Sequence, residues 1–296
     1  MPSNDKKTVS LVLGSGGARG LTHIGVIREL EEQGYEIAAI VGCSIGALVG
    51  GVYAAGRLDD LEDWFSGITK LNILQLLDFS WGRRGLVKGD RIIDAMIDVV
   101  GDSKIEELSV PYTAIATDIG SGREVWLRSG QLFDAIRASI SLPMFFTPFK
   151  YKGMQLIDGG VVNPVPIAPT FNDHTDITIA VNLGGQPSKE IEPANKGAKV
   201  PRESSTVSRW INGLVNDIHD SLTTKEDDED WGAYDVANQA FDAMQATIAR
   251  QKLASYPPDQ VIEIPRNVCT TLEFDRAAEL IELGRQKTRD HLSKLA

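Results

Sequence analysis

The stretch TVSLVLGSGGARGLTHIGVIRELEEQGYEIAAIVGCSIGA (residues 8–47) alternates apolar runs with a segment of helical periodicity. The apolar runs at 8–14 and 36–42 predict buried strands, and apolar residues at helical spacing over 21–34 predict a helix between them. A second helix, rich in small residues, is predicted at 45–56. Strand–helix units of this length are typical of an α/β fold with a mostly parallel sheet.

The remaining sequence continues this pattern. Further strands are predicted at 112–119, 123–129, 154–158, 176–183 and 260–265, and a closing amphipathic helix at 275–295. A polar segment around 186–206 carries Pro, Gly and Ser and is predicted to be a loop or a flexible excursion. Because strands resume after it and no internal repeat is found, we expect residues 1–296 to form a single domain.

The composition restricts the classes of partner. The formal net charge is −11 at pH 7, which argues against nucleic-acid binding because phosphate contacts require clustered Lys and Arg. The same charge disfavours tight binding to strongly anionic lipid. Cys43 and Cys269 make no disulfide framework, which favours a reducing compartment.

The sequence also predicts where the protein resides. Residues 1–10 lack the apolar core and cleavage site of a signal peptide, and no stretch reaches about 18 uninterrupted apolar residues. We therefore expect a cytoplasmic protein whose membrane contact, where there is any, is peripheral. We predict no cofactor and no metal ion, and the sequence indicates no oligomeric state.

The glycine-rich loop GSGGARG (14–20) follows the first strand and opens a helix. Such loops point backbone N–H groups at a ligand, so a dinucleotide site, a phosphate cradle and an oxyanion hole are all compatible with it. A dinucleotide fingerprint would place its third glycine where this chain has Arg19, and a P-loop requires Gly-Lys-Ser/Thr. A tight turn that lets the helix pack on the sheet would also explain this loop.

The motif GCSIG (42–46) places Ser44 between a predicted strand and a predicted helix. This is the pattern of a nucleophile elbow, in which Gly42 and Gly46 avoid clashes around a strained serine. The neighbouring Cys43 is a rival nucleophile, but side chains alternate across a strand, so we expect its thiol to be buried and inert.

The two loops are expected to act together. The carboxyl ends of parallel strands share one edge of a sheet, so the N–H groups of Gly16, Gly17 and Ala18 can face Ser44 and be joined by the N–H of Ile45. This arrangement is an oxyanion hole, which favours acyl transfer over nucleotide binding.

The base that would accept the serine proton is less obvious among the four histidines. His174 precedes a strand and so lies at the opposite edge, His219 falls in a variable-looking polar stretch, and His291 lies in the last helix. His23 is the positional candidate, but it lies about a turn into its helix, where packing residues are found.

A carboxylate offers a better candidate base. Asp158 ends a predicted strand and is followed by Gly159 and Gly160, which let the backbone turn away closely. An aspartate becomes a plausible base when burial raises its pKa from the usual value of about 3.9.

Several motifs together resemble the patatin-like phospholipases, and the resemblance extends over nearly the whole chain, least securely over about 186–258. The similar stretches are GSGGARGLTHIGVI (14–27), GCSIGA (42–47), DAIRASISLPMFFTPF (134–149), LIDGGVVNPVP (156–166) and LEFDRAAELIELG (272–284). The resemblance implies a three-layer α/β/α fold and a Ser–Asp dyad that works without histidine. It implies Ser44 as nucleophile, Asp158 as base and an oxyanion backbone at Gly16, Gly17 and Ala18. Arg19 matches the family's basic position, either holding the loop or attracting an anionic head group.

The substrate class that follows is a lipid or other carboxylic ester. The stretch 68–89 is apolar with a basic tail. It is expected to cap an acyl cavity, to touch lipid, or to belong to a helical core with a surface loop. With the net negative charge, we favour lysophospholipids or short monomeric esters. The alternatives are an acyltransferase, a nucleotide-binding regulatory domain using the loop at 14–20, and an interaction module with an idle site.

Overall fold

In the computed structural model, which describes residues 6–69, 72, 89–189 and 233–294, the predicted strands pair into one sheet. The strands are β1 (Lys7–Leu13), β2 (Tyr35–Cys43), β3 (Tyr112–Asp118), β4 (Arg123–Leu127), β5 (Phe149–Tyr151), β6 (Met154–Asp158), β7 (Ile177–Gly185) and β8 (Gln260–Pro265). The helices are α1 (Thr22–Glu32), α2 (Ile45–Ala54), α3 (Leu58–Gly67), α4 (Asp90–Val100), α5 (Leu132–Ser139), α6 (Ala233–Ser255) and α7 (Ala277–Leu292).

The sheet is mixed, with a parallel half and an antiparallel half. Its order is β5-β6-β3-β2-β1-β7-β8, and β4 also pairs with β3. The pairs that join β3, β2, β1, β7 and β8 are parallel, whereas β4, β6 and β5 run antiparallel to their neighbours. The predicted α/β class is confirmed, and the antiparallel hairpin of β5 and β6 is a feature that the strand pattern did not predict.

Helices cover both faces of this sheet, because apolar side chains project from both faces of its central strands. On one face, Val9, Leu11 and Leu13 of β1 join the main core, to which α1, α2 and α7 contribute. On the other face, Val12 packs in a smaller cluster with Ala249 of α6. The predicted three-layer arrangement is therefore confirmed.

Close contact between α1 and α7 fixes the closing helix against the glycine-loop helix. A Cβ added to Gly25 would lie 1.9 Å from the carbonyl oxygen of Ile281, and one added to Gly284 would lie 2.1 Å from that of Thr22. The helices thus approach backbone to backbone, and the sequence stretch that ends the chain supports the loop that follows β1.

Two predictions fall largely outside the described residues. The polar segment predicted around 186–206 is described only to residue 189, and the stretch 68–89 only at 68, 69, 72 and 89. Among the residues that are described, no helix has both the length and the apolar character needed to cross a bilayer.

Candidate active site

Ser44 occupies the sharp turn between β2 and α2. Its backbone has φ 56° and ψ −123°, a left-handed φ that a non-glycine residue adopts rarely and at a cost of about 1–3 kcal/mol. A Cβ on Gly42 would lie 2.4 Å from the carbonyl oxygen of Gly46, and a Cβ on Gly46 would lie 2.2 Å from that of Leu13. The two glycines therefore let the turn pack tightly against itself and against β1.

Asp158 lies beside this turn. Its Oδ2 accepts a hydrogen bond from Ser44 Oγ at 2.5 Å, and its Oδ1 accepts one from the backbone N–H of Gly160 at 2.7 Å. The carboxylate is fully buried and the serine is nearly so. The structure thus joins the two predicted groups by a direct hydrogen bond.

The route by which Asp158 reaches Ser44 differs from the expectation. The sequence predicts that Asp158 ends a strand of a mostly parallel sheet, but β6 runs antiparallel to β3, so it enters from the carboxyl edge of the parallel strands. It stops with Asp158 opposite Ala116, one residue beyond Ile115, which is the partner of Cys43. The shortness of β6, and not its direction, brings the carboxylate level with the end of β2.

Gly159 makes the close approach at this point possible. A Cβ there would lie 2.3 Å from the carbonyl oxygen of Ile115 and 3.0 Å from Cys43 Sγ. Gly160 is similarly crowded, since its Cβ would lie 2.6 Å from Ser15 Oγ. Both glycines let the backbone that follows the carboxylate turn against β3 and the glycine loop.

The surroundings of Asp158 change its acidity. Burial raises its pKa to about 6, and the hydrogen bonds from Ser44 and Gly160 partly oppose this by stabilising the carboxylate. A carboxylate with this pKa is a stronger base than an exposed aspartate and is still mostly ionised near pH 7.

The histidines predicted as weaker candidates for the base have other contacts or other positions in the fold. His23 is fully buried and its Nε2 lies 2.9 Å from the carbonyl oxygen of Gly14, so Nε2 donates to that oxygen. Burial lowers the His23 pKa to about 4. His174 precedes β7 at the opposite edge of the sheet, His291 is in α7, and His219 lies outside the described residues.

The glycine loop presents fewer amides than predicted. The N–H of Ala18 donates to the carbonyl oxygen of Thr271 at 2.9 Å, which corrects the prediction that this N–H is available to an oxyanion. Gly17, with φ 58°, packs against the same threonine, and it lines one cavity with Ser44 and Ile45. Ile45 begins α2, so its N–H has no partner one turn back within the helix.

Arg19 is committed to holding this loop. It is nearly fully buried, and its guanidinium donates to the carbonyl oxygens of Gly16 and Arg266 and to the carboxylate of Asp242 at 3.0–3.1 Å. Of the two roles expected for Arg19, these contacts support holding the loop.

Ser139 is a buried site residue that sequence reasoning missed. Its Oγ accepts the backbone N–H of Ser44 at 2.9 Å and donates to the carbonyl oxygen of Ile115 at 2.6 Å. Ser139 lies in the block 134–149 that resembles the family, which is the one sequence feature that points to it. Nothing else in its sequence context distinguishes it from an ordinary serine at the end of a helix.

Cys43 is buried beside Val41 and Ile115, as expected, and burial raises its pKa well above the usual thiol value. The thiol is therefore neutral and packed, because burial disfavours its thiolate.

An apolar cavity opens at Ser44. It is lined mainly by hydrophobic and aromatic side chains from several elements, among them Leu48, Phe65, Met96, Ile140, Phe146 and Phe274. Ser44 thus borders a space suited to hydrocarbon, together with Gly17 of the glycine loop and Ile45 at the start of α2.

Comparison with known proteins bears on this arrangement. The family model described as Patatin-like phospholipase matches residues 11–171. An uncharacterized NTE family protein of Mycobacterium bovis is 38% identical, over 94% of this chain and 89% of that protein. The lysophospholipase nte1 of Emericella nidulans is 27% identical over 98% of this chain but only 18% of its own length.

Among solved structures, VipD of Legionella pneumophila matches 98% of this chain and 67% of VipD with a TM-score of 0.49 and 13% identity. The sequence matches are the informative ones. The family model spans more than half of the chain and includes Ser44 and Asp158 within its bounds, while the mycobacterial relative matches it almost from end to end. The chain therefore belongs to the patatin-like phospholipase family of lipid hydrolases.

Proposed function

We propose that the chain hydrolyses carboxylic esters of lipids with Ser44 as nucleophile and Asp158 as general base. The observation that carries the proposal is the 2.5 Å hydrogen bond between Ser44 Oγ and Asp158 Oδ2 at a strained turn. The raised pKa of the carboxylate supports its role as a base.

The reaction has two halves. Ser44 Oγ attacks the ester carbonyl carbon as Asp158 takes its proton, and the proton then passes to the departing alcohol as the carbon–oxygen bond breaks. Water next gives a proton to Asp158 and attacks the acyl carbon. The fatty acid leaves as the proton returns to Ser44 Oγ, which restores both groups.

The oxyanion formed in each half requires N–H donors. We assign this role to the backbone amides of Gly16, Gly17 and Ile45 and leave out Ala18, because its N–H is bonded to Thr271. Among the described residues no acceptor takes the N–H of Gly16 or Gly17. Arg19 supports these donors by bonding the carbonyl oxygen of Gly16, which fixes the loop's orientation.

We favour single-chain lipid esters such as lysophospholipids as substrates, and any membrane contact would be peripheral. The cavity at Ser44 is apolar, which suits an acyl chain, and the net charge of −11 disfavours strongly anionic bilayers. A match named as a lysophospholipase supports the same choice.

Ser44→Ala and Asp158→Asn test the dyad. Each variant should lose ester hydrolysis by at least about 10³-fold, since removing one member of a catalytic unit removes most of its effect. Ser10→Ala is the matched control, because Ser10 is also buried but bonds Asp173 and Thr175 near the other edge of the sheet. Release of fatty acid is measured by titration, with circular dichroism to establish folding.

Two outcomes would contradict this proposal. Full activity in folded Asp158→Asn would remove the aspartate from the reaction. Mapping a fluorophosphonate label to a residue other than Ser44 would remove the serine. If acyl groups appear on an added alcohol instead of as free acid, the dyad stands but the reaction is acyl transfer.

A further inference from the structure

One short segment at the end of α5 is bonded to the backbone of both Ser44 and Asp158. The Ser139 hydroxyl accepts the N–H of Ser44 at 2.9 Å. Two residues later, the carbonyl oxygen of Ser141 accepts the N–H of Asp158 at 2.9 Å. These contacts hold the two residues from the helix side, in addition to the pairing of β2 and β6 with successive parts of β3.

The orientation of the Ser139 hydroxyl is determined by its second partner. Its hydrogen points to the carbonyl oxygen of Ile115 at 2.6 Å, because a carbonyl can only accept. A lone pair is therefore left facing the N–H of Ser44. Ser139 is fully buried, so no water competes for either bond.

The segment itself is held firmly at its other end. The Ser141 hydroxyl donates to the carbonyl oxygen of Arg137 at 2.8 Å and accepts from the Arg137 guanidinium at 2.6 Å. Both residues are buried. A bond to Ser139 is thus a bond to a fixed support and not to a mobile loop.

We propose that Ser139 is a positioning residue that holds the Ser44 turn in the conformation from which its hydroxyl reaches Asp158. The inference rests on the proposed function of the Ser44–Asp158 pair. A positive φ at a serine persists only where surrounding contacts enforce it. The φ angle of Ser44 is the rotation about its N–Cα bond, so relaxing it would reorient the Ser44 N–H, which the hydrogen bond to Ser139 holds in place. The same bond removes the Ser44 amide from the set of oxyanion donors.

Ser139→Ala tests the inference. Without the hydroxyl, the peptide before Ser44 is free to relax, and kcat for a water-soluble monomeric ester should fall about 10- to 100-fold, the loss typical of a small misplacement of a reacting group. KM should be nearly unchanged, because the cavity walls are intact. The rate of labelling by a small fluorophosphonate should fall in parallel, since it reports the reactivity of Ser44 directly.

Ser10→Ala supplies the matched control for lost burial and hydrogen bonding, since its hydroxyl also makes two bonds in a fully buried position. It should lose comparable thermal stability and keep its kcat. If Ser139→Ala does not fold, Ser139→Cys keeps the side-chain volume but replaces the oxygen by a weak acceptor, and its kcat should also fall.

The outcomes separate this inference from the proposed function. Unchanged kcat and labelling in a folded Ser139 variant would overturn the positioning role, as would an equal loss of kcat in Ser10→Ala. Hydrolysis at the normal rate by Ser44→Ala would instead overturn the proposed function, whatever the Ser139 variants do.

Discussion

Asp158 and Ser44 both occupy positions that are unfavourable in themselves. Asp158 is a fully buried carboxylate, and its hydrogen bonds within the described part of the chain come from a hydroxyl and a backbone amide, not from a cation. Ser44 has a left-handed φ. Such costs are tolerated where the surrounding structure enforces them, and they are common at reactive sites. At the scale of single residues, the arrangement proposed for the reaction therefore lowers the stability of the fold.

Asp158→Asn should stabilise the folded protein at pH 8 by about 1–3 kcal/mol, because it replaces a buried charge by a neutral amide. The amide oxygen can still accept from the N–H of Gly160, and the NH2 group can donate to Ser44 Oγ. In the native protein the pKa is raised from 3.8 to about 6. The folded state then binds the proton more tightly than the unfolded state, so stability falls as pH rises from about 4 to 6. The variant has no carboxyl group to ionise there. Its free energy of unfolding should therefore exceed that of the native protein by an amount that grows from about pH 4 to 6 and stays constant above that range.

Urea unfolding of both proteins between pH 4 and 8 measures this effect. Asp176→Asn serves as the comparison, because that carboxylate is bonded to Thr8 and its pKa is lowered by those bonds. It should lose stability at pH 8 where Asp158→Asn gains it. A stability difference between Asp158→Asn and the native protein that does not change with pH would show that burial does not raise the pKa of Asp158.

Some of the elements around the site were predicted from the sequence and others were not. The turns after β1 and β2 were predicted because glycine patterns and strand periodicity are local features. The antiparallel course of β6 and the bonds of Ser139 were not, since both depend on which strands pair and on which helix covers them. Asp158 was found by its local context, a strand end followed by two glycines, although its strand runs antiparallel to β3.

Gly46→Ala tests the packing of the turn between β2 and α2. The added Cβ would lie 2.2 Å from the carbonyl oxygen of Leu13 and 2.9 Å from that of Gly14, so α2 must shift from β1. Overpacking of this kind costs about 1–3 kcal/mol, and kcat should fall with it because Ser44 moves with the helix. Thermal unfolding and ester hydrolysis measure the two effects.

Gly67→Ala is the matched substitution in another helix. Gly67 ends α3, its φ is not positive, and nothing lies within 4 Å of its added Cβ. The same change there should leave activity intact and raise stability by up to about 1 kcal/mol, through helix propensity. Equal tolerance of both substitutions would mean that the turn at Ser44 is looser than its contacts indicate.

At the scale of the whole molecule, the cavity at Ser44 is built from residues far apart in sequence. Leu48 of α2, Phe65 of α3, Met96 of α4 and Phe274 before α7 all contribute to it. Each of them is an ordinary core residue when its own helix is considered alone. The cavity exists only because these helices meet over one end of the sheet. The sequence therefore predicted the candidate reacting groups, Ser44 and Asp158, better than it predicted the cavity beside them.

Met96→Trp should therefore change the chain-length preference and leave the chemistry intact. Met96 is nearly buried and lines the cavity, so a larger side chain there shortens the space available to an acyl chain. Excluding two methylenes at about 0.8 kcal/mol each lowers kcat/KM roughly tenfold for a p-nitrophenyl laurate relative to a butyrate. Met96→Leu, which keeps the volume, should leave that ratio unchanged. An equal loss on both esters would mean that the acyl chain does not lie in this cavity.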